Sequence, residues 1–121
     1  MTDTKCIDSS AWLLYYFGEN ETIQKIVDQE SILTTSSLTL FEVKKKILSL
    51  HKNPELFLSL IKKRSSIIVP GIIIAETAAV LAHTHRLPTI DALIYATSLS
   101  TRSELITADN DFRGLAGVRM L

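Results

Sequence analysis

Four carboxylates stand where side chains could do chemistry. Asp8 follows a short apolar run in Ile7-Asp8-Ser9-Ser10, and Asp109 follows another in Thr107-Ala108-Asp109-Asn110-Asp111-Phe112. Asp91 sits among Ile90, Ala92, Leu93 and Ile94, just after Pro88, and Glu42 lies between Phe41 and Val43. Taken singly, each has an ordinary structural role. Asp8 could cap a helix, Asp91 could complement a helix dipole, Asp109 and Asp111 could make Asx-turns, and Glu42 could be solvated beside Lys44 to Lys46. Taken together they make a pattern: two at the ends of apolar runs and two embedded in apolar helical stretches. Carboxylates that converge repel one another and call for a hard divalent cation, magnesium or manganese. Such an ion can acidify a water, favour in-line attack on a phosphodiester and steady the leaving oxygen.

The surrounding elements decide whether these residues can meet. Lys5-Cys6-Ile7 reads as a buried strand, followed by a helix over Ser9 to Phe17 with Ser9 or Ser10 available as a cap and Gly18 ending it. A helix is expected from about Asn20 to Asp28, a strand at Ile32-Leu33, and a helix over Leu38 to Leu50. Pro54 can open the next helix, to about Lys63. Ile67-Ile68-Val69 is a third strand. Pro70-Gly71 before Ile72-Ile73-Ile74 fits a hairpin turn or a loop into a helix, and the alanines from Ala75 to His83 favour the helix. Pro88 starts a helix to about Ser100, Leu105-Ile106-Thr107 is a fourth strand candidate, and Val118 to Leu121 is a candidate for a short last one. Strands alternating with helices imply an α/β layer structure with a mainly parallel sheet. In such sheets, sites form beyond the carboxyl ends of the strands, where Asp8 and Asp109 are expected.

These segments resemble the PIN-domain family, and within it the VapC-type toxins of toxin–antitoxin pairs. The resemblance rests on Ile7-Asp8-Ser9-Ser10-Ala11-Trp12, Leu40-Phe41-Glu42-Val43, Leu87 to Thr97, and Leu105 to Phe112. It covers nearly the whole chain and implies a three-layer α/β fold with a central parallel sheet. It implies magnesium- or manganese-dependent cleavage of RNA by Asp8, Glu42, Asp91 and Asp109. Asp8, Asp91 and Asp109 would hold the metal. Ser9 and Thr107 would support the site, with Asp111 as a fifth acid ranked below Asp109. A cognate antitoxin and a homodimer are implied as partners. One place departs from the family: the arginine often found three residues after the helical glutamate is Lys45, a point charge without the planar fork.

Composition bounds the remaining choices. The 121 residues fit one domain, 1–121, and an apolar fraction of 46% suffices for one core. One cysteine, Cys6, excludes an intrachain disulfide and suits a reducing cytosol. The N-terminus lacks a basic-then-apolar signal pattern and the apolar stretches fall short of a membrane span, so a cytoplasmic protein is expected. Thirteen basic and thirteen acidic residues do not advertise nucleic-acid binding, although local basic patches escape a net count. Lys44-Lys45-Lys46 and Lys62-Lys63-Arg64 read as solvated helix faces or, more sharply, as RNA-backbone patches. His83 and His85 suit a helix end, and Cys6 suits the core. The dense aromatic run Trp12, Tyr15, Tyr16 and Phe17 exceeds one buried helix face, so part of it could meet a partner. Two other functions compete: a catalytically silent PIN-like module that binds RNA or protein, and an aspartyl-phosphate phosphatase with Asp8 as nucleophile. The latter chemistry wants an aspartate where Ser10 stands.

Overall fold

The computed structural model describes residues 4–29 and 32–121. Five strands, β1 (Thr4–Ile7), β2 (Ile32–Ser36), β3 (Ser66–Ile68), β4 (Glu104–Thr107) and β5 (Val118–Met120), form one sheet in the order β3-β2-β1-β4-β5. Every neighbouring pair is parallel. Among the described residues six α-helices link β1 to β4: α1 (Ser9–Phe17), α2 (Glu21–Asp28), α3 (Ser37–Ser49), α4 (Glu55–Arg64), α5 (Ile72–His85) and α6 (Thr89–Ser100). This is the expected three-layer α/β arrangement, with helices covering both faces of a parallel sheet.

The strands divide their side chains between two apolar layers. Ile7 and Ile106 face a core built with Ala11 and Trp12 of α1, Ile23 and Val27 of α2, Val43 and Ile47 of α3, and Phe57 and Ile61 of α4. Their neighbours Cys6 and Leu105 face the opposite core, with Ala78 of α5 and Ala92, Tyr95 and Ala96 of α6. Alternation along β1 and β4 with apolar residues on both sides is what a sheet buried on both faces requires.

Local chemistry explains the element ends. The Asp8 side chain accepts from the Ala11 amide and caps α1, and Gly18 closes that helix at φ 67°. Asn20 caps α2 by accepting from Ile23 N, and Ser36 caps α3 by accepting from Leu38 N. Pro54 and Pro88 occupy the cap positions of α4 and α6, one step before the helices begin. Pro70-Gly71 leads into a helix, and α5 takes in all three isoleucines from Ile72. His83 and His85 lie in its last turn.

Trp12 is fully buried and donates its indole N–H to Thr35 Oγ1 at 3.1 Å. Tyr15 and Tyr16 pack around Phe57, which leaves Phe17 as the exposed member of the aromatic run. The basic runs also divide. Lys44 pairs with Glu55 at 3.4 Å, and Arg64 donates to the carbonyl oxygens of Val27 and Gln29, tying α4 to the end of α2. Lys62 and Lys63 are exposed. No helix among the described residues is long and apolar enough to cross a membrane.

Candidate functional site

β1 and β4 lie side by side, although the chain between them builds β2 and β3 on the far side of β1. Their carboxyl ends therefore meet where the sheet's connectivity changes direction, the place at which open parallel sheets form clefts. Asp8 is the first residue after β1, and Asp109 lies two residues after β4. Helix α6 runs back to feed β4, so its first turn, with Asp91, reaches the same edge. Glu42 arrives on the second turn of α3, directly after β2.

A hydrogen-bond network welds the loops that follow β1 and β4. Asp8 is 3% exposed. Its Oδ1 accepts from the Ala11 amide at 2.9 Å and from the Ser10 hydroxyl at 2.7 Å, and its Oδ2 accepts from the Thr107 hydroxyl at 2.5 Å. Ser10 Oγ in turn accepts from the Ala108 amide, and Thr107 Oγ1 from the Asp109 amide, both at 2.9 Å. Burial pushes the Asp8 carboxyl up to about 6, against three donors that favour its charged form, with the charge of Asp109 adding to the rise. Ser9 donates to Glu42 Oε1 at 2.5 Å, which fixes the glutamate from across the α1–α3 contact.

Carboxyl oxygens of Asp91, Asp109 and Asp111 lie within 4.8 Å of one another. Asp109 also caps the short 3₁₀ turn Asn110–Phe112, accepting from Asp111 N at 2.9 Å, and this turn swings the Asp111 side chain towards Asp91. The Asp91 carboxyl is pushed up to about 7, first by burial, then by the charge of Asp109, by a hydrogen bond and charge from Asp111, and by Glu42. The five acids thus form one electrostatic unit. Asp91 senses Glu42, Asp109 and Asp111, and Asp8 senses Asp109.

Sequence reasoning assigned a metal to Asp8, Asp91 and Asp109. The tight trio contains Asp111 in place of Asp8, whose carboxylate is held by its own three donors and feels the charge of Asp109. Ser9 and Thr107, expected as supports, contact Glu42 and Asp8 respectively. Ser10 is a support that the sequence expectation does not include. Its signal was present: a hydroxyl two residues after a helix-capping aspartate is placed to bond that cap. Cys6 is buried, and desolvation pushes its thiol up to about 12, so it is an inert core residue.

The PIN-domain family model matches residues 5–118. The chain belongs to the PIN-domain family. Among solved structures, this PIN domain is similar to a chain of a toxin–antitoxin complex from Klebsiella pneumoniae, at 26% identity and a TM-score of 0.79, covering 96% of each chain. VapBC2 from Rickettsia felis, bound to a DNA fragment from its promoter, shares the fold at 14% identity and a TM-score of 0.75, covering 98% of this chain and 97% of that one. So does VapC20 of Mycobacterium tuberculosis, a sarcin–ricin loop cleaving toxin, at 15% identity and a TM-score of 0.71, over 95% and 98%. None of the curated proteins matches the sequence.

Proposed function

We propose that this PIN domain is a metal-dependent endoribonuclease that cuts single-stranded or structured RNA, and that it is the toxin of a toxin–antitoxin pair. The observation that carries the proposal is the approach of Asp91, Asp109 and Asp111 to within 4.8 Å, beside Asp8 and Glu42, at the edge of a PIN fold.

The donor set suits a hard divalent cation. The trio offers carboxylate oxygens alone, the ligands that magnesium and manganese take and that zinc sites seldom rely on exclusively. Their mutual repulsion is a cost that a cation relieves. Asp91 and Asp109 would hold it, with Asp8 and Asp111 completing the acidic shell. When bound, the ion supplies Lewis-acid chemistry: it activates water and offsets charge on the phosphodiester in the transition state.

The chain's own residues supply orientation. Ala11 N, Ser10 and Thr107 hold both oxygens of Asp8, so this carboxylate presents a fixed charge. Ser9 holds Glu42 by Oε1, leaving Oε2 to orient a water and accept its proton. Supports of this kind matter because catalysis depends on placement within fractions of an ångström. Against Asp8 as a phosphatase nucleophile stands Ser10, which occupies the place where that chemistry wants a second aspartate and donates to Asp8 Oδ1.

A toxin role draws on the Klebsiella pneumoniae toxin–antitoxin complex, the relative at 26% identity. An antitoxin and a second copy of the chain both need apolar docking surface. Leu56 and Leu60 on α4, and Ile72, Ile73 and Val80 on α5, are exposed apolar side chains that suit such docking. Such a protein would act in the cytoplasm, where its RNA is.

Incubation with single-stranded RNA tests the proposal. Cleavage is expected with magnesium or manganese and is lost in chelator and in Asp91→Asn. Cleavage that persists in chelator refutes the metal role. An intact protein that binds RNA without cutting it, with either ion, is instead a silent binding module.

A further inference from the structure

An exposed aromatic ring lies beside the carboxylates, and the chemistry above makes no use of it. Phe41 precedes Glu42 on α3 and is 57% exposed, whereas Trp12, Phe57 and Phe112 are buried. It lines a cleft of about 280 Å³ together with Glu42, Lys45, Lys46 and Ser49 of α3 and Ile90 of α6. The cleft borders the acidic cluster through Glu42, which stands in its wall and whose charge acts on Asp91. The Lys45 ammonium stands 6.0 Å from the Phe41 ring centroid. Among the described residues, neither Lys45 nor Lys46 has a carboxylate within ion-pair distance.

Charge decides what such a cleft fits. An apolar side chain of a protein partner would meet the phenyl ring but would leave the two ammonium groups without an anionic partner. A nucleotide satisfies both features, because its base has a flat apolar face and its phosphates are anionic. Glu42 in the wall would repel a phosphate unless a cation stood beside it, which favours a sugar–phosphate chain held by the lysines with its cut phosphate near the proposed metal site.

We propose that Phe41 is a stacking platform for one unpaired base of the RNA, flanking the phosphate that is cut, with Lys45 and Lys46 holding neighbouring phosphates. This rests on the nuclease reading above and adds a selection rule to it. A base paired within an A-form duplex cannot lay its face on Phe41, so the nucleotide at this position must be unpaired.

The test uses the full chain and short single-stranded oligoribonucleotides carrying 2-aminopurine at successive positions, in calcium. Binding should quench the fluorescence at one position. Phe41→Ala should abolish the quenching and weaken binding about tenfold, the order expected for loss of one base–aromatic stack. Phe41→Trp should keep both, and an abasic residue at that position should make wild type and Phe41→Ala bind alike. Lys45→Gln should lower the slope of log Kd against log salt by about one. Unchanged quenching and affinity in Phe41→Ala overturn the proposal and leave the ring to a protein partner. So does an equal loss of affinity for the abasic oligomer. Cleavage of the same oligomers in manganese separates the two readings. Quenching at Phe41 without cleavage refutes the nuclease alone, and cleavage indifferent to Phe41 refutes the stacking alone. A wild-type chain that binds no RNA overturns both.

Discussion

Replacing Asp91 with asparagine should stabilise the metal-free protein at neutral pH while it abolishes cleavage. The folded chain holds the Asp91 proton up to about 7, against 3.8 for an ordinary aspartate, because burial and the carboxylates of Asp109, Asp111 and Glu42 disfavour its charge. The native state therefore binds more protons than the unfolded state between those values. Stability falls as pH rises through that window, and the loss is complete above about 7. At about 1.4 kcal/mol per pH unit the rise corresponds to roughly 4 kcal/mol. Solvent access to this half-buried side chain reduces it to about 2 kcal/mol. Asparagine keeps the shape without the charge. In chelator, denaturant unfolding should show Asp91→Asn more stable than wild type by about 2 kcal/mol at pH 8, with almost no difference at pH 4. Adding magnesium or manganese should stabilise wild type at pH 8 and do much less for the variant. Destabilisation by Asp91→Asn in chelator at pH 8, or the same difference at both pH values, would refute the claim that crowded negative charge dominates this site.

Two further outcomes follow from the supporting hydroxyls. Thr107→Val removes the donor to Asp8 Oδ2 and the acceptor for the Asp109 amide in a fully buried setting. It should cost about 2–3 kcal/mol in denaturant unfolding. Because the lost hydrogen bond favours the charged carboxylate, the acid limb of the pH–rate profile should also move to higher pH. Ser9→Ala should lower kcat for RNA cleavage roughly tenfold with little change in KM, since it frees Glu42 without touching the trio. Ser9→Thr should restore most of the rate, and an equal rise in KM would show that Ser9 serves binding instead.

The strands and helices were legible because their signals are local. Continuous apolar runs marked β1 and β4, and Asp8, Asn20, Gly18, Pro54 and Pro88 punctuated the helices. The Pro70-Gly71 junction was ambiguous for a physical reason: three isoleucines favour a strand, and the helix wins through α5 packing its alanines against α6. The positions of Asp8 and Asp109 at strand ends could be read in advance, since a parallel sheet puts such residues at one edge. The partnership of Asp91 with Asp111 could not. It depends on the angle at which α6 returns to the sheet and on the 3₁₀ turn that Asp109 caps, neither of which has a sequence period. The Ser9–Glu42 bond spans 33 positions and is equally silent in one dimension. The aromatic run divides in a way that density alone does not reveal: Phe57, from α4, packs against Tyr15 and Tyr16, while Phe17 stays exposed.

The claim on which everything else depends is that these acids jointly hold a divalent ion. Crystals soaked in manganese, with data collected near its absorption edge, test it directly. The account predicts an anomalous peak among the carboxylates of Asp91, Asp109 and Asp111, on the side facing Asp8, that disappears in Asp91→Asn crystals. A protein that cleaves RNA under the same manganese concentration yet shows no peak there, or a peak bound by other residues, would contradict it.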